Sequence, residues 1–92
     1  MLDLALADYN KVVELQPDFS GVYSNRAGVY LKKGLLDLAL SDCDKAIERS
    51  PASARGYTNR SIVYSLKNEY QKSKQDLSKA RKFKIAAEQR NK

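Results

Sequence analysis

Leu2-Asp3-Leu4-Ala5-Leu6 is written again, residue for residue, as Leu36-Asp37-Leu38-Ala39-Leu40, 34 positions further on. The offset holds well beyond this stretch. Asp8, Lys11, Glu14 and Pro17 return as Asp42, Lys45, Glu48 and Pro51. Tyr23, Asn25, Arg26, Val29, Tyr30 and Lys33 return as Tyr57, Asn59, Arg60, Val63, Tyr64 and Lys67. Asp42, Lys45 and Ala46 return once more as Asp76, Lys79 and Ala80, and no gap is needed anywhere. A fixed period without gaps is the mark of a chain built from stacked copies of one supersecondary unit.

Each period holds two helical patterns. Leu2, Ala5/Leu6, Tyr9 and Val12/Val13 recur at the i, i+3/i+4, i+7 spacing that paints one face of a helix, as do Leu36, Ala39/Leu40, Cys43 and Ala46/Ile47. Between them lie Tyr23, Ala27, Tyr30 and Leu31, and later Tyr57, Val63 and Tyr64. Pro17 and Pro51 interrupt the pattern, because proline lacks an amide hydrogen and clashes with a preceding turn. Ser20 is expected to cap the helix that follows Pro17. Gly34 is expected to end a helix with positive φ, and Asn68 to do so one period later. The reading predicts helices over about 2–15, 20–33, 36–49, 54–67 and 70–90, with short links that make consecutive helices antiparallel. Ile85 stands where a proline ended the earlier helices, so the last helix is expected to run on.

Small residues at Ala5, Ala39 and Ala46 let helix axes approach at the short end of the ~8–10 Å range. One such pair cannot bury its own apolar face. Stacked pairs share a core, and a small rotation per unit leaves a concave surface lined by the first helix of each pair.

Composition narrows the function classes. The chain has 92 residues, 42% hydrophobic and 30% charged, enough for one compact domain; four glycines and two prolines argue against a turn-rich β architecture. It has no histidine and a single cysteine, Cys43, which removes the commonest general base and metal ligand and any internal disulfide. No catalytic set, metal cluster or phosphate loop is present in the sequence, so no enzyme, cofactor or metal is expected. Cys43 lies on an apolar stripe and is expected to be an inert core thiol. Its neighbours Asp42 and Asp44 are expected to be solvated or paired with lysines at i+3 or i+4. No apolar run approaches the ~20 residues of a membrane span, and the acidic start is not a signal peptide, so a cytoplasmic, reducing setting is expected. The net charge of +6 is uneven: residues 1–50 carry six Lys/Arg against eight Asp/Glu, residues 51–92 eleven against three.

These residues together resemble the tetratricopeptide repeat family, whose 34-residue pattern runs aromatic, Leu-Gly, Tyr, Ala, Phe, Ala, Pro. Tyr23, Ala27, Tyr30, Gly34, Ala39, Ala46 and Pro51 match one unit. Tyr57, Tyr64, Tyr70 and Ala80, with Ser61, Ser73 and Leu77 more loosely, match a second. Residues 2–17 look like the second helix of a preceding unit, with Ala5, Tyr9, Val12 and Pro17 on family positions. Arg26 and Arg60 depart from the usual leucine, and Cys43 and Leu77 from an aromatic. The resemblance implies an all-α, right-handed solenoid in one domain over 1–92. It divides as a partial repeat at 1–17, repeats at 18–51 and 52–85, and a helical extension at 86–92.

The implied function is a protein–protein interaction module, an adaptor, scaffold or co-chaperone-like domain, that holds an extended peptide or a helix in its groove. The groove would be lined by Gly21, Ser24, Asn25, Gly28 and Lys32 and, one repeat later, by Arg55, Thr58, Asn59, Ile62 and Leu66. Asn25 and Asn59 can pair with a peptide backbone, since an amide donates and accepts at once, or can bond their neighbours at the repeat junction. Gly28 either opens the groove floor or makes a tight helix contact. Some family members clamp a chaperone's C-terminal carboxylate. Asn25 matches the clamp's middle asparagine and Arg55 could stand in for one basic residue, but Asn59 stands where a second base is expected, and the helix that would carry the first Lys and Asn is absent from this sequence. Two other readings remain open. The basic C-terminal half could bind an acidic partner or nucleic acid, although Lys79, Arg81, Lys82, Lys84, Arg90 and Lys92 are spread around their helix and fit a solvating terminal helix better. The six tyrosines are expected to pack in the core rather than stack on bases. Helix 2–15 lacks its usual neighbour, so a second copy, another protein or an upstream segment would cover it, which allows a homo-oligomer.

Overall fold

The computed structural model describes residues 1–90. They form α1 (Leu2–Leu15), α2 (Ser20–Lys32), α3 (Leu36–Arg49), α4 (Ala54–Leu66) and α5 (Tyr70–Arg90), with no strand among the described residues. Asn91 and Lys92, the end of the expected extension, lie outside the described residues.

Local chemistry sets the boundaries. Gly34 (φ 74°) and Asn68 (φ 63°) both adopt the left-handed conformation. Beyond each, the amides of Leu35 and Glu69 donate back to the carbonyls of Tyr30 and Tyr64, at 2.9 and 2.8 Å. The two turns are one device repeated. The expected cap at Ser20 is corrected: Phe19 holds the extended cap position of α2, with no side-chain bond, and Ser20 is already helical. One period later Ser53 occupies that position, and its Oγ accepts from the Gly56 amide at 3.1 Å.

The helices form two layers, α2 and α4 in one, α1, α3 and α5 in the other. Helices consecutive in sequence pack together; the backbones of α2 and α4 also come close, while those of α1 and α3, and of α3 and α5, stay further apart. A stack whose helices touch in one layer and part in the other must bend toward the touching layer, so α2 and α4 line the concave side. The overall extents of 35 × 33 × 22 Å agree, because 22 Å is the thickness of two helices of ~10–12 Å each. Ala27, Ala39, Ala46 and Ala80 are buried, the small residues that allow close packing. Val22, Tyr23 and Ala46 pack against Tyr9, Val12 and Val13 of α1. The Tyr23 hydroxyl donates to the Pro17 carbonyl at 2.7 Å, so the proline turn is tied to the core. Phe83 stacks on Tyr57 with ring centroids 5.6 Å apart, which docks the later turns of α5 on α4. Tyr70 is not a core residue: most of its ring is exposed at the start of α5, and its hydroxyl donates to Asn68.

The largest departure from the sequence reading concerns Asp42. Its side chain is only 2% exposed and its partner is Arg26 of α2, not a lysine of its own helix. Arg26 Nε and Nη2 donate to the two carboxylate oxygens at 2.7 Å each, while Nη1 donates to Asn10 of α1 at 3.0 Å. The same pattern recurs 34 residues on. Arg60 donates twice to Asp76 at 2.8 Å and once to Asp44 at 3.0 Å. These bonds hold both guanidinium groups above the ordinary arginine pKa, with the carboxylate hydrogen bond as the main cause. The arginines that stand for leucine therefore replace apolar filling with a satisfied ionic fork.

Removing one partner of a buried fork leaves an uncompensated charge. Asp42→Ala should lower unfolding stability by about 3–5 kcal/mol in urea titration followed by circular dichroism. Arg26→Leu combined with Asp42→Ala should lose clearly less than the two single changes added together. Equal losses in the cycle would show that the fork is not coupled. Cys43 is buried and burial pushes its thiol up to about 12. Native protein at pH 8 should resist a disulfide-exchange reagent that reacts at once in denaturant. Because the native thiol stays protonated while the unfolded one ionises near pH 9, this group should favour the native state below pH 9 and progressively less as pH rises toward 12.

Candidate peptide-binding groove

Helical periodicity sets Ser24, Asn25, Gly28 and Lys32 along one face of α2, and Arg55, Thr58 and Asn59 along the matching face of α4. These seven line one open cavity of about 590 Å³ on the concave side. Ile62 and Leu66 line an adjoining apolar hollow of about 320 Å³, which shares Gly28, Lys32 and Asn59 with the first. Gly21 belongs to neither; a Cβ there would lie 3.1 Å from the Phe19 ring, so it accommodates the α2 entry turn. A Cβ at Gly28 would meet nothing within 4 Å. Gly28 is therefore bare floor and not a tight helix contact.

The cavity also includes Tyr9, Val29, Ala54 and Lys84. The sequence reading placed Tyr9 in the core and Lys84 on a solvated tail. Tyr9 is half-buried and does both jobs, since it packs on the core and shows an edge to the groove. Lys84 follows Phe83 directly, and the Phe83–Tyr57 stack sets the rotation of α5 that brings Lys84 to the groove. An isolated aromatic within a basic tail was the available signal.

The two asparagines, equivalent by repeat, do different work. The Asn59 amide nitrogen donates to the Ser24 carbonyl at 2.9 Å, a bond from α4 to α2 across the repeat junction. The Asn25 side-chain oxygen accepts from Arg55 Nη1 at 2.5 Å. Asn59 thus secures the junction, and Asn25 holds a cation over the groove while its own amide nitrogen has no protein partner among the described residues. Among those residues no group of acids and cysteine is placed to hold a metal, and no helix is long and apolar enough to cross a membrane.

The asymmetry is measurable. Asn59→Ala should cost about 1 kcal/mol of stability by leaving the Ser24 carbonyl without this donor. Asn25→Ala should leave the urea midpoint nearly unchanged, since the guanidinium it releases remains solvated. Equal costs at the two positions would contradict the division of roles.

Residues 20–53 match the family model described as tetratricopeptide repeat. No curated protein matches the chain in sequence. Among solved structures it is similar to the TPR2B domain of yeast Sti1 in its pHsp70 complex, at 27% identity and a TM-score of 0.90, over 96% of this chain and 70% of that one. It is also similar to the TPR2AB domain of yeast Sti1 in its pHSP90 complex, at 27% identity and a TM-score of 0.88, where it spans 96% of itself but only 34% of that chain. The first TPR of Spaghetti (RPAP3), bound to the HSP90 peptide SRMEEVD, shares the fold at 22% identity and a TM-score of 0.86, over 89% of this chain and 65% of that one. One tetratricopeptide repeat, over residues 20–53, is matched in sequence, and nearly the whole chain is similar in shape to tetratricopeptide-repeat domains.

Proposed function

We propose that the chain is a protein-interaction module that takes an extended peptide segment of a partner protein into the groove between α2 and α4, in an adaptor or co-chaperone-like role. The observation that carries this reading is the open floor at Gly28, with hydrogen-bonding side chains on both sides of it. An extended strand laid over Gly28 has main-chain groups to satisfy on both edges. The Asn25 amide nitrogen can donate to its carbonyls, and Thr58 and Asn59 present polar atoms on the opposite wall. The neighbouring apolar hollow beside Ile62 and Leu66 suits a side chain of the same segment. The two yeast Sti1 structures, solved as pHsp70 and pHSP90 complexes, support a ligand-binding role for this architecture. Affinity for one short segment should be modest, because ordering the peptide offsets part of the gain.

Gly28 allows a clean test. Gly28→Ala should stabilise α2 by about 0.5–1 kcal/mol, since glycine is a poor helix former and the added methyl meets open space. Gly28→Leu should keep the fold by circular dichroism yet fill the groove. Peptides selected from a displayed random library on the natural chain should bind Gly28→Leu at least about tenfold more weakly in fluorescence anisotropy. Undiminished binding to a folded Gly28→Leu protein would remove the groove as the site.

A further inference from the structure

We infer that copies of this chain associate head to tail, an exposed stripe of α1 in one copy packing on an exposed stripe of α5 in the next, with Asp8 and Arg81 as the ion pair that fixes the contact. The repeat itself points to Asp8. Its equivalents 34 and 68 positions on are Asp42 and Asp76, and each is buried in a fork with an arginine of another helix. Asp8 is exposed and forms no ion pair among the described residues. It is the centre of a stripe at helical spacing: Met1, Ala5, Asp8, Val12 and Leu15. Ala39, Asp42 and Ala46, the same inner positions of α3, are buried, whereas Ala5 and Val12 are only half-buried and Met1 and Leu15 are exposed. α1 thus offers a carboxylate within an apolar face, at a position where the fold elsewhere supplies an arginine.

α5 carries the matching surface. In α3, Ile47 faces α4, where a Cβ added at Gly56 would lie 3.1 Å from its Cγ1. The equivalent of Ile47 in α5 is Arg81, and that of Leu40 is Lys74. Tyr70, Lys74, Leu77, Arg81 and Ile85 form one stripe at helical spacing, and all five are exposed. Neither base forms an ion pair among the described residues. The stripes are also alike in length, about 21 Å from Met1 to Leu15 and about 22 Å from Tyr70 to Ile85 at 1.5 Å per residue. Charge decides which faces meet. α1 on α1 would bring two Asp8 carboxylates into an apolar contact, and α5 on α5 would gather four bases. Only α1 on α5 sets acid against base. The two helices close opposite ends of the stack, α1 packing on α2 and α5 on α4. The contact is therefore heterologous, and each added copy leaves one face of each kind free.

Sedimentation equilibrium of the 92-residue chain at low salt tests this. The weight-average mass should rise with concentration from 10.4 kDa past twice that value, and added salt should oppose the rise. Asp8→Arg and Arg81→Asp should each weaken association at least about tenfold, because a lost ion pair is compounded by a like-charge contact. Both changes in one chain reverse the pair and should restore association to within about threefold of the natural chain. Lys82→Asp makes an equal charge change one position along α5, off the stripe, and should have no effect. Circular dichroism should show all of these variants folded, since the altered side chains are exposed. A chain that stays at 10.4 kDa at every concentration would overturn the inference. So would an Arg81→Asp chain that associates as the natural one does, which would place α1 on α1. Equal weakening by Arg81→Asp and Lys82→Asp would mean diffuse attraction between the acidic and basic halves, and would overturn it too. A reversed pair that fails to recover association would remove the contact between Asp8 and Arg81.

Discussion

The Arg26 guanidinium reaches the Asp42 carboxylate of α3 with two N–H groups and Asn10 of α1 with a third, so one side chain of α2 ties together two outer helices whose backbones stay apart. Arg60 repeats the arrangement between α3 and α5. A leucine at these positions would fill space between helix pairs but would set no angle between them. A planar fork aimed at a nearly buried carboxylate fixes both distance and direction. The forks therefore fix how the outer helices sit against α2 and α4, whose own backbones come closer together, and that difference in spacing is the curvature.

Curvature in turn makes the groove. With α2 and α4 on the inner side, their exposed faces become the walls of one cavity instead of two separate helix surfaces. The floor is open because Gly28 has no side chain and no neighbour competes for the space. The two junction asparagines divide the remaining work, one bonding repeat to repeat and one aiming Arg55. The terminal helix enters the same design through the Phe83–Tyr57 stack, which turns a tail residue into a wall residue.

Much of this was legible from residues alone, because the relevant physics is local. The five helices end within a residue of their expected limits, since hydrophobic spacing, Pro17 and Pro51 act within a turn or two. Gly34 and Asn68 adopt positive φ for the same kind of reason. Seven of the ten expected groove residues share the main cavity, because repeat period and helical period together place them on one face. The misses are also instructive. Ser20 is the cap the sequence suggests, but the extended residue falls one position earlier, at Phe19, and its equivalent 34 residues on, Ser53, carries the side-chain cap. Asp42 sits within reach of Lys45 in its own helix, and nothing in the spacing of α3 reveals that a residue of another helix claims it.

Sequence alone determined the repeat, the helix limits, the inner and outer assignment of the helices and the absence of histidine chemistry, because each follows from period, turn residues or composition. Tertiary structure decided which equivalent residues remain equivalent. Asn25 and Asn59 differ because Asn59 has the Ser24 carbonyl of the preceding helix beside it and Asn25, on the first inner helix described, faces Arg55 instead. Lys84 joined the groove because an aromatic stack set the rotation of α5. Hydrogen bonds and ring contacts between helices depend on positions in space, and a 34-residue period read along the chain carries no information about those.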